Sequence, residues 1–475
     1  MDAEEIHENF LKLETEIDTF DITIDDVPIW ERIRFNVHRQ IMREEVDWGV
    51  DEPDSTSRRR RQARRLWMGL KNIVHRNPLF VSEHDILYWG HKRRKKLSDG
   101  LWWDIYCDPI HEALPEQDYV HFELPNGPAH HTPAKTPNLQ YLDLIQVSVG
   151  IGEKLGLLST SIPTNDKNKL GNISDEIESV YGVDVPVEKM VRDELTQRAG
   201  LRPMYRRLLK SVDPDVVVLV VHNGKETFIE TCKNLGIPVV ELQHGILTEY
   251  EYAYSYPGFR TKQTFPDYLF TWGTFWNDRV EFPINDQYVF PIGYPYLEMK
   301  ADQYRDLTDT NQTLFISQPN IGKDFSKVAC EVASNPRVVS NIVYKLHPYE
   351  YDIWESRYPW LECSGVDVID SDNPSLYELF ASSNKQVGVF STAIYEGIYF
   401  DIDTILFNLP GVENLDHLYN NGVAEFAENT EQLVDHITQA RSAQFDRSNF
   451  FEPDSMKNFE MILSKVIDGD VNKVE

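Results

Sequence analysis

Three apolar segments of this chain end abruptly in polar residues, and their order constrains the fold more than any other feature. They are residues 239–245, 343–348 and 389–397. Each begins with a run rich in β-branched and aromatic residues, typical of a buried strand, and ends in groups that can hydrogen-bond or accept a proton. Because open α/β sheets bind ligands at the carboxyl ends of their strands, the three endings are predicted to line one cleft.

Strand and helix patterns alternate through most of the chain after residue 80, which predicts an α/β fold. The clearest example runs from Asp215 to Leu242: a strand, a helix that stops at Gly236, and a second strand. This βαβ pattern implies parallel strands joined by a right-handed crossover. A second alternation begins at Thr313. We therefore expect a GT-B-like arrangement of two Rossmann-like lobes with a cleft between them, and a helical N-terminal extension.

The chain is long enough for two or three domains, and its patterns predict four segments. Residues 1–80 would form the helical extension and a basic linker. Residues 81–305 would form the first lobe, and a polar, turn-rich stretch near its end would connect it to the second. Residues 306–430 would form the second lobe, and residues 431–475 would be C-terminal helices.

The composition excludes several classes of protein. A formal net charge of −30 disfavours nucleic acid as a partner. The four cysteines have no CxxC spacing, so they indicate neither a disulfide framework nor a zinc site. The sequence shows no secretory signal or membrane-spanning run, and we expect a cytoplasmic protein. The acidic composition is typical either of a halophilic protein or of an ordinary acidic cytosolic one, and it leaves both open.

Two basic segments interrupt the acidic sequence, Arg58–Arg65 and His91–Lys96. One interpretation is a solvated helix face or loop. The other is attraction to anionic lipid or to a phosphorylated acceptor, which would bring the protein into peripheral contact with the inner face of the membrane.

His244 is the candidate general base. It follows a strand directly and precedes Gly245, where the backbone can turn sharply. A histidine in this position is presented to a ligand, and its ordinary pKa near neutrality suits proton transfer. Gln243 and Gly245 would support it from either side. The alternative is a structural histidine hydrogen-bonded to a loop.

His347, Ser391 and Thr392 are candidates for phosphate binding. Pro348 fixes the exit of the chain after His347, so the ring is held in a direction from which an N–H group can donate to a phosphate oxygen. Ser391 and Thr392 open a helix, and a helix N-terminus attracts phosphate. The alternative for Ser391 is an ordinary N-cap that serves only its own helix.

Three further residues are assigned to the same nucleotide site with a weaker signal. Glu396 lies about one turn into the helix and could accept hydrogen bonds from ribose hydroxyls. Ser317 and Gln318 follow the first strand of the second lobe, a usual place for a phosphate-facing loop. Pairs such as Asp370 and Asp372 have metal-binding spacing but are expected by chance in so acidic a chain. We therefore predict no metal site and no bound cofactor.

The ordered motifs at 243–245, 345–348 and 391–397 resemble those of GT-B-fold transferases of surface polysaccharide and teichoic acid biosynthesis. These include capsule polysaccharide enzymes and the glycerophosphotransferases that use CDP-glycerol. A His-Pro motif followed by a Ser/Thr motif is also similar to bacterial sialyltransferases that use CMP-sugars. The resemblance covers roughly residues 215–415.

This resemblance implies an inverting, metal-independent transferase. It would move a sugar or polyol phosphate from a nucleotide-activated donor to a cell-surface glycan or a lipid-linked acceptor. His244 would be the catalytic base in the acceptor lobe, and His347 would contact the donor phosphate in the other lobe. Two alternatives remain open: a non-hydrolysing sugar-nucleotide epimerase of the same fold, and a non-catalytic member of an envelope-glycan assembly complex.

Overall fold

The computed structural model describes residues 3–45, 67, 71–72, 76–127, 129–307, 310–363, 365–439 and 446–471. The chain divides into two compact units. The first comprises Met1–Gly293 and Asp454–Glu475, and the second comprises Tyr294–Pro453. Each unit is a parallel sheet flanked by helices, so the prediction of two Rossmann-like α/β lobes is confirmed.

The helices and strands of the described residues are numbered in chain order. The helices are α1 (Ala3–Glu16), α2 (Trp30–Glu45), α3 (Asp108–Ala113), α4 (Asp143–Lys154), α5 (Thr164–Tyr181), α6 (Val187–Val212), α7 (Glu226–Leu235), α8 (Thr274–Arg279), α9 (Pro295–Gln303), α10 (Gly322–Ser334), α11 (Trp354–Arg357), α12 (Leu376–Ser382), α13 (Thr392–Tyr399), α14 (Asp416–Asn420), α15 (Thr430–Thr438) and α16 (Ser455–Asp468). The strands are β1 (Thr23–Ile24), β2 (Val27–Pro28), β3 (Ile86–Trp89), β4 (Arg94–Lys96), β5 (Trp102–Asp104), β6 (Tyr119–Glu123), β7 (Leu139–Tyr141), β8 (Val216–Val220), β9 (Val239–Leu242), β10 (Tyr268–Thr271), β11 (Val289–Pro291), β12 (Gln312–Ile316), β13 (Asn341–Lys345), β14 (Asp367–Ile369), β15 (Lys385–Gly388), β16 (Asp403–Phe407) and β17 (Glu425–Ala427).

The sheet of the first unit has the strand order β11-β10-β9-β8-β3-β6-β7, and its paired strands are parallel. From β3 the chain adds β6 and β7 on one side, and then β8 to β11 on the other. The strand order therefore reverses between β3 and β8, which is where open α/β sheets bind ligands. Strand β8 is buried along its whole length, which explains its purely aliphatic sequence.

The N-terminal helices are part of the first unit. Helices α1 and α2 bury their apolar faces, with Phe10 and Trp30 among them, in one core with α5 and the first half of α6. Arg32 on α2 reaches further, and its guanidinium donates to Glu194 on α6 at 2.8 Å and to Glu230 on α7 at 2.9 Å. The helical character of this segment was predicted. The local sequence does not indicate which helices this segment packs against, because those helices lie more than a hundred residues away in the chain.

The same two helices hold the loop that follows His244. The Arg34 guanidinium donates to Glu14 at 2.6 Å and to the carbonyl oxygen of Tyr252. The imidazole of His38 stacks on the ring of Tyr252, with 3.8 Å between their centroids. The N-terminal helices therefore position the polypeptide next to the first motif.

The second unit has the strand order β14-β13-β12-β15-β16-β17, again with parallel pairing throughout. Its order reverses between β12 and β15. The unit begins at Tyr294 and not at residue 306, because α9 packs inside it: the Tyr296 ring lies 5.3 Å from that of Tyr377. Residues 301–312, predicted as a linker, contain the end of α9 and the first residue of β12.

The C-terminal helices, predicted as one segment, belong to different units. Helix α15 stays in the second unit, whereas α16 belongs to the first. Phe459 on α16 packs edge-to-face against Phe270 at 6.0 Å, and Asn458 donates to the carbonyl oxygen of Ile292 at 3.3 Å. The chain thus crosses from the first unit to the second and returns.

The structure describes only one of the two basic segments. Arg58–Arg65 lies outside the described residues. Within His91–Lys96, the structure places Arg94 on the short strand β4, where it is buried and paired with Glu123. The charge of Arg94 is therefore neutralised inside the fold, whereas Lys92, Arg93 and Lys96 are exposed, and membrane contact through this segment stays a prediction. No helix in the described part of the chain is both long and apolar enough to cross a bilayer.

Candidate functional site

His244 lies in the loop after β9, at the carboxyl edge of the first sheet. Three hydrogen bonds fix the backbone around it. The Gln243 side chain donates to the carbonyl oxygen of Gly245 at 2.8 Å and accepts from the backbone N–H of Trp272 at 2.7 Å. The Tyr106 hydroxyl donates to the carbonyl oxygen of His244 at 2.9 Å. The Gln243 side chain thus fixes the backbone at Gly245, next to His244.

The surroundings of the His244 imidazole disfavour its charged form. Its Nδ1 is buried and has no hydrogen-bond partner among the residues that the structure describes. Burial lowers the pKa of His244 to about 4, and the neighbouring Lys225 contributes to the lowering while Glu241 opposes it. The ring is therefore neutral near pH 7, with a lone pair available to take a proton.

A buried carboxylate–histidine pair lies beside this loop. Glu241 accepts hydrogen bonds from His222 Nδ1 at 2.8 Å, from the His222 backbone N–H at 3.0 Å, and from the Tyr254 hydroxyl at 2.8 Å. Burial opposes ionisation of this carboxyl, but the interactions with His222, His244 and Tyr254 together outweigh burial and lower the pKa of Glu241. Sequence reasoning missed the pair, although a glutamate inside an apolar strand was a signal that could have found it.

Two further polar residues lie at the reversal of strand order in the first sheet. His91 follows β3, and Lys225 precedes α7. The imidazoles of His91 and His244 are separated by 6.3 Å between centroids. Gly90 is required beside them, because a Cβ atom there would lie 2.2 Å from Nε2 of His121. Sequence reasoning placed His91 in a basic segment that could attract an anionic partner and gave Lys225 no role. It did not bring the two together, because strand order decides which loops become neighbours.

The second sheet brings the predicted nucleotide-binding segments to a single edge. Strand β12 pairs with β13 on one side and with β15 on the other. The residues that follow these strands, Ser317 and Gln318, then His347, then Ser391, are therefore neighbours at the carboxyl edge. Gln318 also connects two of the loops directly, since its Oε1 accepts from the backbone N–H of Phe390 at 3.4 Å.

His347 is held with its proton on Nε2. Its backbone N–H donates to Oε2 of the buried Glu350 at 2.8 Å, and its Nδ1 accepts from the backbone N–H of Tyr349 at 3.2 Å. A neutral imidazole that accepts at Nδ1 carries its hydrogen on Nε2. This is the tautomer that donates to a phosphate oxygen.

Ser391 and Thr392 place two hydroxyl groups at the start of α13. Oγ of Ser391 accepts from the backbone N–H of Ala393 at 3.2 Å, which is the N-cap interaction proposed as the alternative. A capping hydroxyl still has its own hydrogen to donate, so capping and phosphate binding are compatible. Thr392 is the first residue of α13, and it is partly exposed beside Ser391.

The side chains of Ser317 and Glu396, both predicted to bind the nucleotide, are hydrogen-bonded to other residues of the second unit. Oγ of Ser317 is buried and hydrogen-bonded to the Tyr344 hydroxyl at 3.0 Å. Glu396 is also buried, and it accepts from the Tyr377 hydroxyl at 3.0 Å. Both tyrosines come from neighbouring elements that the motifs do not include. In this structure Ser317 and Glu396 therefore hold the edge in place from within.

Within the described ranges, no group of three or more histidine, cysteine or carboxylate side chains is arranged to hold an ion.

No family model and no curated protein matches the chain. Solved structures do match it. They include the UDP-GlcNAc 2-epimerase from Methanocaldococcus jannaschii, with 12% identity, 80% of this chain and 99% of that chain covered, and a TM-score of 0.47. They also include the wall teichoic acid polymerase TagF, with 12% identity, 87% and 98% coverage and a TM-score of 0.42. MurG from Acinetobacter baumannii matches with 9% identity, 82% and 99% coverage and a TM-score of 0.42. The matches thus include a teichoic acid enzyme, as the motifs suggested, and an epimerase.

Proposed function

We propose that this protein is a transferase that uses a nucleotide-activated sugar or polyol donor and a glycan or lipid-linked acceptor. The observation that carries the proposal is the edge of the second sheet. There, His347 in its Nε2–H form and the N-terminus of α13 follow strands that flank β12. A neutral N–H donor and a helix N-terminus suit the phosphates of a nucleotide.

The first unit supplies the base. The neutral imidazole of His244 would remove the proton of an acceptor hydroxyl as its oxygen attacks the donor. The new bond forms on the acceptor oxygen while the bond to the nucleotide phosphate breaks, and the leaving nucleotide keeps the bonding electrons. A single displacement of this kind inverts the reacting centre. The hydrogen bond from Tyr106 to the His244 carbonyl holds the base in place.

The leaving phosphate gains negative charge in this step, and the second unit would stabilise it without a metal. Donors that are already oriented cost no reorganisation when that charge develops. His347 would supply one such donor, and Ser391, Thr392 and the first N–H groups of α13 would supply the others. Gln318 would keep the loops after β12 and β15 together.

Calorimetry in EDTA tests donor binding. The protein is titrated with CMP, CDP, UDP, GDP and dTDP, and one of these is expected to bind. His347→Ala should weaken that binding by roughly 10- to 100-fold, since a hydrogen bond to a charged group contributes about 1.5–3 kcal/mol. The matched control is His436→Gln, a half-buried histidine on α15 in the same unit. Binding that needs magnesium or manganese, or equal losses in both variants, would refute the proposed site.

An epimerase of the same fold is the second candidate, and the buried pair Glu241–His222 favours it. Epimerisation needs acidic and basic groups around one sugar and no acceptor. Incubation of the protein with each nucleotide-sugar in D2O distinguishes the two reactions. Incorporation of deuterium into the sugar without any acceptor indicates an epimerase. Turnover that appears only when an acceptor glycan or lipid is added indicates a transferase, and absence of both reactions indicates a non-catalytic protein.

A further inference from the structure

A cavity of about 650 Å³ lies at the reversal of strand order in the first sheet. Its wall is formed by the loop after β3, by one face of α4 and by the loop between β8 and α7. All of these elements belong to the first unit. None of the residues of this wall is among those assigned above to the nucleotide or the base, so the cavity needs its own explanation.

Lys225 is the central charged group of the cavity. Its side chain is buried, with 8% exposure for the residue, yet it lines the space. The ammonium group donates to the carbonyl oxygen of Val220 at 2.6 Å and to that of Val221. Two of its three protons are used in this way, which leaves a third for a ligand. Burial lowers the pKa of Lys225 to about 8, although Glu241 opposes the shift.

The backbone beside Lys225 has an unusual conformation. Val221 has a φ of 66°, in the left-handed region that a β-branched residue rarely adopts. This conformation accompanies the hydrogen bond from Lys225 to the Val221 carbonyl. Strained residues of this type occur preferentially where a loop is shaped for a ligand. The strain and the buried ammonium group thus point to the same place.

The other charged groups of the wall favour an anion. Lys92 and Lys154 add two positive charges. The one carboxylate of the wall, Asp143, accepts a hydrogen bond from His130 at 2.6 Å. Burial opposes protonation of His130, but the hydrogen bonds to Asp143 and Glu123 outweigh it and raise the pKa. The charge of Asp143 is therefore compensated within the fold.

One side of the cavity is apolar. Trp89 and Phe35 are among the residues of its wall. Near the end of α4, Ile151 lines the cavity and is 44% exposed. Leu155 and Leu157, which follow α4 in the chain, are 67% and 76% exposed. A ligand that places an anion at Lys225 would have apolar surface available for the rest of its body.

We propose that this cavity binds a phosphate-type anion attached to an apolar chain, with Lys225 at the anion and Ile151 beside the chain. The stacking of His91, which lines the cavity, with His244 connects this site to the base. The identification of this ligand as the acceptor rests on the function proposed above. The binding of the ligand to the cavity does not depend on that function. The anionic group could belong to a lipid headgroup or to free phosphate. The apolar surface of the cavity favours the lipid.

Three probes distinguish these sources by calorimetry: decyl phosphate, inorganic phosphate and decanol. Decyl phosphate is expected to bind at least tenfold more tightly than either of the others. Lys154→Gln, at the rim, should weaken its binding by about two- to fivefold, as expected for a partly solvated charge. Lys210→Gln, an exposed lysine on α6 outside the cavity, should leave it unchanged. Equal affinity for inorganic phosphate would overturn the lipid assignment.

A covalent probe tests Lys225 without requiring a variant that folds. Pyridoxal phosphate carries an aldehyde and a phosphate, and its aldehyde condenses with a neutral amine to form an imine and water. With a pKa of about 8, roughly half of the Lys225 side chains are neutral at pH 8, against less than 1% for an ordinary lysine. After borohydride reduction, peptide mapping should find the label mainly on Lys225, and decyl phosphate should protect it. Labelling spread over exposed lysines, without protection, would refute the site.

The two proposals fail separately. If decyl phosphate binds and protects Lys225 but no nucleotide binds, the anion site stands and the transferase does not. If a nucleotide binds to the second unit while Lys225 is neither labelled selectively nor protected, the donor site stands and the cavity does not bind the acceptor.

Discussion

The imidazoles of His91 and His244 lie 6.3 Å apart, with 29° between their planes. One follows β3 and the other follows β9, two strands separated in the sheet by β8. Burial lowers the pKa of His91 to about 3 and that of His244 to about 4, so both rings are neutral near pH 7. Neither ring therefore has to lose a proton before it can accept one.

Substitution of His244 and substitution of His347 should impair different steps of the reaction. His347→Ala should weaken nucleotide binding. His244→Ala should leave that binding nearly unchanged and lower turnover by roughly 10²- to 10⁴-fold, the usual contribution of a positioned general base. The reason is that they belong to different units. Circular dichroism first establishes that both variants are folded, and calorimetry and turnover then separate them. Full activity in His244→Ala would contradict the assignment.

The pH profile of turnover should extend unusually far into acid. A base with an ordinary histidine pKa loses activity as the pH falls through about 6.5. Because burial lowers the pKa of His244 to about 4, protonation of this base should reduce kcat/KM only below about pH 5. The measurement is kcat/KM from pH 4 to 9, restricted to the range in which the protein remains folded. An acidic limb near pH 6.5 would show that another group is the base.

Loss of Arg32 should destabilise the first unit strongly. Its side chain is 1% exposed and pairs with Glu194 and Glu230. Arg32→Ala removes a buried guanidinium from Glu194 and from Glu230, of which Glu230 keeps Arg198 as a second partner. Breaking a buried ion pair typically costs about 3–5 kcal/mol. Urea denaturation measures the loss. Arg39→Ala is the matched control, since Arg39 lies on the same helix and is exposed. A loss below 1 kcal/mol in Arg32→Ala would show that the N-terminal helices contribute little to the unit.

The salt dependence of stability distinguishes the two interpretations of the acidic composition. A net charge of −30 repels itself in dilute buffer, and added ions screen the repulsion. If the protein is halophilic, its thermal unfolding midpoint should rise steadily from dilute to molar KCl. Sucrose at matched osmolality controls for non-ionic effects. A flat profile would favour an ordinary acidic protein and would leave the proposed function untouched.

The elements that the sequence predicted well are those with an uninterrupted pattern. Strand β8 is purely aliphatic because both of its faces are covered, and α7 ends at Gly236, whose φ of 77° suits glycine. Strand β6 was missed because His121 and Glu123 interrupt its apolar run. Both are buried. Glu123 is paired with Arg94, and Nδ1 of His121 lies 3.1 Å from Nε2 of His111, contacts that no local pattern reveals.

The candidate site was predictable only in part, and for a related reason. The residues that end strands, His244 and His347, could be found from the strands themselves. Lys225 could not, because its burial depends on β3 and β8 becoming neighbours although β6 and β7 lie between them in the chain. The hydrogen bond from the Tyr377 hydroxyl to Glu396 likewise depends on how α12 packs against α13.

Acid should destabilise the first unit through His7 and His38. Burial lowers the pKa of His7 to about 4 and that of His38 to about 3, below the ordinary value of about 6.5 in an unfolded chain. As the pH falls from 6.5, the unfolded chain therefore binds protons that the folded chain does not, and folding stability is lost. Each group contributes a loss of up to about 2 kcal/mol by pH 5.

His38→Phe tests this expectation. The substituted ring can keep the stack on Tyr252 and the edge-to-face contact with Phe10, at 3.8 and 5.0 Å in the native structure, but it cannot be protonated. Both ring nitrogens of His38 lack hydrogen-bond partners within the described part of the chain, so the substitution removes no hydrogen bond there. Urea unfolding free energies at pH 7 and pH 5 should differ by about 1–2 kcal/mol less in His38→Phe than in the native protein. His436→Gln, in the second unit, should keep the native difference. An unchanged pH dependence in His38→Phe would mean that His38 is not the group that couples acid to unfolding.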